Sequence, residues 1–494
     1  MDLEDCIPAR LSPSQLSSAL EGVSVHVYSM GCGHNQADGD LILTTLCSAG
    51  AIIRPKSSAD VIYINSCTVK NPSEDKALEM ARSAFRRAQL VILGGCVPQS
   101  KRTLPDDLEE RVREGRLIIT GTLTMTWLET LPDLIRQMLM EKENGFEKKE
   151  EGKRYIDPQA VRSNEERMLV CTPKYRLNPL VDIIPIGTGC MGACTYCKTI
   201  QSRGRLRSAS IEVLEQRIRD GLTSSEVREL WLTGEDTLAW GRDQSETFVT
   251  LFDTLLPLFK GTVKMLRIGM TDPESVIGYE AGLIRILKHP NVYKFLHLPV
   301  QSGSDAILSG MNRKYTAQSY METCQRLLKE VPDLCISTDI ICGFPGETDE
   351  DHALTLSLFE REDLHFEVVN VTQYYARLNT PAARLPQIPA AVKKRRTREM
   401  ADVAIKAFHR EKYVGQIHDI LVSERLSIGR NGKTFGGKTY SNISIGIEDP
   451  PTDSGISLEI GQYLRVQVTD GTRVALSAKV LALHPQPVLV RRIK

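Results

Sequence analysis

The chain carries no net charge, its 62 basic residues balancing 62 acidic ones over 494 positions. Neutrality gives no global argument for nucleic-acid binding, so any RNA contact has to rest on local patches. No apolar run reaches the roughly 18 residues that a membrane helix needs. The start, Met1-Asp-Leu-Glu-Asp, is acidic and lacks both a signal-peptide pattern and an arginine-rich transit pattern. With 41% hydrophobic and 25% charged residues, the composition is that of a cytoplasmic globular protein. The length allows for about two to four domains. Twelve cysteines in a chain without a secretion signal indicate metal or redox chemistry rather than disulfides.

Residues 23–140 alternate short strand signals with helical spacing. The expected strands are Val23–Tyr28, Val61–Ile64, Leu90–Leu93 and Leu117–Ile119, with a helix over Glu74–Arg87. Such alternation implies a parallel sheet. Cys32, Cys67 and Cys96 each follow a strand, in Ser29-Met-Gly-Cys32, Asn65-Ser-Cys67 and Gly94-Gly-Cys96. Ligands of open parallel sheets gather at the carboxyl ends of strands, so these three cysteines are expected to converge on one metal centre. The alternative is three separate buried thiols.

An N-terminal tail (1–22) and this sheet domain (23–140) end at a charged linker, residues 141–178. From 179 to 411 the alternation resumes. Six strands are expected at Val181–Ile186, Glu229–Thr233, Val263–Ile268, Phe295–Leu298, Cys335–Ile341 and Val368–Val371, then a helical connector from about 390. That pattern suits a partial or full parallel barrel with its site on the carboxyl-end loops. Residues 412–482 carry short β runs at Ile417–Val422, Tyr463–Val468 and Val474–Val480, which read as a small antiparallel barrel; a basic tail, 483–494, ends the chain. The segment from 412 onward holds 11 basic and 7 acidic residues, the most basic part of a neutral chain. Other local basic patches are Arg203-Gly-Arg205-Leu-Arg207, Lys393 to Arg398 and Arg491-Arg492-Ile-Lys494. The fold class is therefore α/β: an N-terminal parallel sheet, a central barrel and a terminal β-barrel.

The sharpest chemical signal is Cys190-Met-Gly-Ala-Cys194-Thr-Tyr-Cys197, opening a loop directly after the first barrel strand. Thiolates suit iron–sulfur clusters. The spacing lets one loop wrap three corners of a cubane, and the lack of a fourth nearby cysteine leaves one iron open for a small molecule. Zinc is disfavoured, because it takes four ligands and prefers paired knuckles. The remaining cysteines, Cys6, Cys47, Cys171, Cys324, Cys335 and Cys342, match no ligand pattern and read as structural.

The Cys-x₃-Cys-x₂-Cys run, with Tyr196 before its last cysteine, resembles the radical S-adenosylmethionine superfamily. The chain from about 23 to 482 resembles its methylthiotransferase family. The motifs that carry the likeness are Gly31-Cys32-Gly-His34-Asn35-Gln-Ala-Asp38-Gly39, Asn65-Ser-Cys67-Thr-Val-Lys-Asn-Pro, Gly94-Gly-Cys96-Val-Pro-Gln, Leu298-Pro-Val-Gln301-Ser-Gly-Ser, Met311-Asn-Arg-Lys-Tyr-Thr316, Asp339-Ile-Ile-Cys-Gly-Phe-Pro-Gly-Glu347-Thr and Arg377-Leu-Asn-Thr-Pro-Ala-Ala, with a terminal barrel similar to a TRAM domain. The resemblance implies two [4Fe-4S] clusters and S-adenosylmethionine. Cys190, Cys194 and Cys197 would hold the radical-generating cluster. Cys32, Cys67 and Cys96 would hold an auxiliary cluster that carries sulfur. Tyr196, Gly234, Glu235 and Gln301 would contact S-adenosylmethionine. No acid–base dyad is expected, because a strong, non-acidic C–H bond is not opened by side-chain acids and bases.

Within the family, Cys194-Thr-Tyr-Cys197-Lys198-Thr199 with Arg203-Gly204, and Leu232-Thr-Gly-Glu-Asp236 with Trp240-Gly-Arg-Asp243, are similar to the archaeal–eukaryotic branch. That branch methylthiolates carbon 2 of N6-threonylcarbamoyladenosine next to the tRNA anticodon. The implied partners are a tRNA anticodon stem-loop, an electron donor of flavodoxin or reductase type, and a sulfur donor. Other substrates in the family are isopentenyladenosine in tRNA and a ribosomal-protein aspartate. A reading of another class is a non-catalytic iron–sulfur RNA-binding protein. Animal members of the branch often end in a hydrophobic anchor. This chain ends in Arg491-Arg-Ile-Lys494, so no membrane anchor is expected.

Overall fold

The structure, a computed structural model, describes residues 19–69, 71–100, 103–143, 170, 172–361, 363–406, 410–426, 433–450, 457–471 and 475–484. Most of the expected N-terminal tail, linker and basic tail, and Cys6 and Cys171, lie outside the described residues.

The first unit runs β1 (Ser24–Ser29), α1 (Gly33–Ser48), β2 (Ile52–Ile53), β3 (Val61–Ser66), α2 (Asn71–Ala84), β4 (Leu90–Gly95), α3 (Asp106–Arg113), β5 (Leu117–Ile119) and α4 (Met125–Glu143). Its strands form one parallel sheet in the order β2-β1-β3-β4-β5. Every residue of β3 and β4 is buried, as the continuous apolar runs of a sheet covered on both faces require. Helices α1 and α4 cover one face, α2 and α3 the other. The expected helix over 74–87 lies three residues earlier, and the two-residue β2 was not legible.

The second unit carries β6 (Val181–Pro185), β7 (Glu229–Thr233), β8 (Met265–Ile268), β9 (Phe295–His297), β10 (Cys335–Cys342) and β11 (Val368–Gln373). Two parallel ladders, β6-β7-β8 and β9-β10-β11, are joined by bridges from Leu266 to Val292 and from Met270 to His297. The result is an open barrel of six parallel strands in chain order, matching all six expected positions. Helices α5 (Ile211–Thr223), α6 (Phe248–Leu255), α7 (Glu280–Leu287), α8 (Ala317–Glu330), α9 (Asp349–Ser357) and α10 (Ala390–Lys406) bring apolar side chains to the outer face of these strands. Reciprocal caps, Thr316 with Ser319 and Thr348 with Asp351, fix the starts of α8 and α9. The basic run on α10 is partly internal: buried Arg396 donates to Glu347 and Asp349, while Arg395 pairs with Asp349 at the surface.

The terminal unit, β12 (Ile417–Arg425), β13 (Lys433–Lys438), β14 (Ser444–Glu448), β15 (Tyr463–Gly471) and β16 (Leu476–His484), closes into a barrel of order β12-β13-β14-β16-β15. Four neighbouring pairs are antiparallel and one, β14 with β16, is parallel. The small antiparallel barrel expected here is present, and its one parallel pair has a topological reason: a closed ring of five strands cannot alternate direction throughout. This order is that of the OB-type barrel. The barrel core is continuous with Met265, Phe295 and Cys335, the first residues of β8, β9 and β10. It therefore docks at the amino ends of those strands, and Tyr440 seals the joint by accepting from Lys294 through its carbonyl and donating to the Pro290 carbonyl. No helix among the described residues is long and apolar enough to cross a membrane.

Candidate metal centres

Three turns at the carboxyl edge of the N-terminal sheet carry Cys32, Cys67 and Cys96. Cys32 stands at the N-cap of α1, Cys67 follows β3, and Cys96 opens the short helix Cys96–Ser100 after β4. Gly31 has φ +90°, and a Cβ there would lie 2.4 Å from the Cys67 sulfur, so glycine is what lets the Cys32 turn approach Cys67. Asn35 on α1 ties the turns together. Its amide donates to the Met30 carbonyl at 2.9 Å and the Ser66 carbonyl at 2.8 Å, just before the Cys32 and Cys67 turns. Its side-chain oxygen accepts from the Cys96 thiol at 3.5 Å.

The second triad lies on the loop after β6. A two-residue hairpin, Gly187–Thr188 against Arg207–Ser208, clamps the base of this loop. The family-like motifs wrap its rim. Thr195 donates to the Met311 and Gly310 carbonyls, Asn312 to that of Ala193, and Ala382 to that of Thr195. Gly192 passes between sulfurs: a Cβ there would sit 3.3 Å from Cys190 and 3.7 Å from Cys194. The Tyr196 hydroxyl accepts from Arg313 at 2.6 Å, and its ring meets Phe344 edge-on at 6.4 Å. Gly234 and Glu235, at the end of β7, line a small pocket with Gly187 and Gly189 beside the Cys190 loop. Gln301 holds a left-handed turn (φ 71°) and pairs its backbone with Asp339 and Ile341.

The donor chemistry fits iron–sulfur clusters. Backbone N–H groups of Val69, Gly192 and Thr199 lie 3.2–3.4 Å from the sulfurs of Cys67, Cys190 and Cys197, the hydrogen bonding that cluster thiolates use. Burial pushes the thiols of Cys32 and Cys190 up to about 12 and those of Cys96 and Cys194 to about 11. Such thiols stay protonated at neutral pH unless a metal ion displaces the proton. Among the described residues no three His, Cys, Asp or Glu side chains converge on a single ion. A cubane makes no such demand, because each thiolate binds a different iron. Cys324 and Cys342 are buried in the barrel's outer core, and Cys335 in the joint with the terminal barrel.

Two buried ionic networks lock the units together around these turns. In one, Glu74 of α2 meets Lys198 at 3.4 Å and Arg377 at 2.7 Å, while Arg377 also donates to the carbonyls of Thr68 and Val69. Burial alone would raise the Glu74 carboxyl. The Thr68 hydroxyl and the charges of Lys198 and Arg377 outweigh it and hold the carboxyl down at about 2. In the other, Arg203 crosses from the short helix after Cys197 and donates to Asn35 at 2.5 Å and Asp38 at 2.6 Å. Glu235 stands 3.6 Å from Arg203 and 3.1 Å from His34. Arg203 thus belongs to the interior and not to a basic RNA-binding surface. The sequence marked Asn35, Asp38 and Arg203 only as family-like positions, because the partners that give them roles lie some 165 residues away.

Residues 184–359 match the Radical SAM superfamily, and residues 24–119 match the family described as Uncharacterized protein family UPF0004. The threonylcarbamoyladenosine tRNA methylthiotransferase of Danio rerio is 37% identical over 83% of this chain and 71% of its own length. The Homo sapiens protein of that name is 36% identical over 82% and 67%. A probable one from Methanothermobacter thermautotrophicus is 32% identical over 93% and 100%. Among solved structures, the radical S-adenosylmethionine methyltransferase TsrM from Kitasatospora setae, with cobalamin and a [4Fe-4S] cluster bound, superposes with a TM-score of 0.52 at 13% identity over 74% of this chain and 77% of that one. At that identity the likeness is one of fold.

Proposed function

We propose, from the premise that the chain belongs to the threonylcarbamoyladenosine tRNA methylthiotransferase family of radical S-adenosylmethionine enzymes, that it adds a methylthio group to carbon 2 of N6-threonylcarbamoyladenosine beside the tRNA anticodon. The observation that carries this reading is the pair of cysteine triads on facing edges of two units, joined by Arg203. An RNA-binding protein with a structural cluster has no need of a three-cysteine loop that would leave one iron without a protein ligand.

In this assignment residues 23–140 are the auxiliary-cluster unit, 179–411 the radical-generating barrel with its connector, and 412–482 the RNA-binding barrel. Cys190, Cys194 and Cys197 would hold the barrel cluster and Cys32, Cys67 and Cys96 the auxiliary one. When bound, the clusters and S-adenosylmethionine supply one-electron cleavage chemistry and the sulfur to be transferred. The chain's own work is placement. Gly31 lets the Cys67 thiol approach where any Cβ would intrude, and Gly192 leaves room between the Cys190 and Cys194 sulfurs. Gly234 and Glu235, which line the pocket at the end of β7, with Tyr196 and Gln301 on neighbouring loops, would contact S-adenosylmethionine. Glu74, Lys198 and Arg377 bury charge at the joint and exclude water from it. A flavodoxin or reductase would supply electrons, a separate donor the sulfur, and the cytoplasm the tRNA.

The test is mass spectrometry of nucleosides from total tRNA of the host with and without the gene. Loss of the 2-methylthio nucleoside, with its unthiolated precursor accumulating, supports the assignment. An unchanged nucleoside refutes it and turns attention to isopentenyladenosine and then to ribosomal protein.

A further inference from the structure

Arg203 is one of the most costly residues in this molecule to bury. Its guanidinium stands in the joint between units with 5% of its side chain exposed. An interior ion pair with Asp38 alone gives weak reason for such placement, since desolvation offsets most of the attraction. Two further observations show what the group faces. Its Nε and the Glu235 Oε2 are both buried without a hydrogen-bond partner. The contact to Asn35 adds a mechanical link, because the oxygen that accepts from Arg203 also accepts from Cys96, and the amide of the same side chain holds the Cys32 and Cys67 turns.

We propose that Arg203 is a positioning residue for the auxiliary cluster: held by the barrel, it presents its cation to the three auxiliary thiolates through Asn35 and so sets the affinity of that cluster for an electron. Because Glu235 lines the pocket at the end of β7 and stands beside Arg203, the same cation faces the site proposed for S-adenosylmethionine. A fixed positive charge favours the reduced, more negative form of a cluster and raises its potential. The inference rests on the reading that both triads hold clusters.

The test is an EPR-monitored redox titration of the full, reconstituted chain and its R203Q variant, with C32A/C67A/C96A and C190A/C194A/C197A variants identifying which signal belongs to which cluster. In R203Q the auxiliary signal is expected at lower potential by at least a tenfold change in reduction equilibrium, about 59 mV for one electron, with the barrel signal unmoved. An auxiliary signal at the wild-type potential with full iron content overturns the proposal. If R203Q fails to take up iron, R203K serves. Lysine keeps the charge, so an auxiliary signal near the wild-type potential supports the proposal and one lowered by the tenfold change expected of R203Q overturns it. Iron content is read separately: a wild-type chain that binds only the barrel cluster sinks the two-cluster reading and with it the role of Arg203, whereas two clusters with an unshifted R203Q potential sink the role of Arg203 alone.

Discussion

Replacing Glu74 by glutamine should loosen the Cys67 turn without unfolding the chain. Glu74 is 4% exposed, bonded to Thr68 and paired with Lys198 and Arg377. A carboxyl held at about 2 against its ordinary 4.5 corresponds to about 3 kcal/mol of preference for the charged form in the folded state. An independent route gives a similar figure, since removing one member of a buried ion pair typically costs about 3–5 kcal/mol. The loss is local, so it should appear as easier opening of residues 66–84 rather than as global melting. Hydrogen–deuterium exchange read by peptide mass spectrometry should show protection there falling about a hundredfold in E74Q, the factor that about 3 kcal/mol represents. A peptide from β15 should be unchanged. Protection within about threefold of wild type would refute the reasoning. The pH dependence has a fixed sign. The folded carboxyl titrates below the unfolded one, so its contribution is complete above about pH 4.5 and vanishes as pH falls toward 2.

Gly31→Ala should abolish the auxiliary site alone, because the added Cβ would lie 2.4 Å from the Cys67 sulfur; reconstituted protein should bind about four iron atoms instead of about eight, and a full complement would contradict the cradle. Cys194→Ala should eliminate reductive cleavage of S-adenosylmethionine to 5′-deoxyadenosine while the auxiliary signal persists in EPR; cleavage at the wild-type rate would show that the loop triad is not the radical-generating site. Arg425 and Lys479 are exposed on the terminal barrel, and their replacement by glutamate should weaken tRNA binding and reduce the slope of log affinity against log salt by about 1–2. An unchanged slope would move RNA contact away from those two positions.

Much of the fold was legible because its strands obey simple rules. All six barrel strands begin and end within about two residues of expectation: five are largely buried and read as apolar runs bounded by polar turns, and β11, with no fully buried residue, shows through the β-branched Val368, Val369 and Val371. Strands β13 and β14 were missed because Gly436, Gly437 and Gly446 interrupt them and dilute the β signal. The cysteine triads were visible through their repeated placement after strands. Their surroundings were not. Arg203 looked like one charge in a basic stretch, and only the fold shows that α1 brings Asn35 and Asp38 to it. Residues that act across a joint leave no periodic trace in sequence.

The docking of the terminal barrel at the amino ends of β8, β9 and β10 gives the molecule two jaws. The Cys190 loop opens at the opposite end of the parallel strands, after β6. β10 alone has eight residues, or about 26 Å at roughly 3.3 Å per residue. On the proposed assignment, an RNA held at the terminal barrel and modified at the cysteine loop would have to bridge that gap, as between the jaws of a caliper. A stem of the right length would fill both jaws, whereas a free nucleoside or a clipped loop would reach only one.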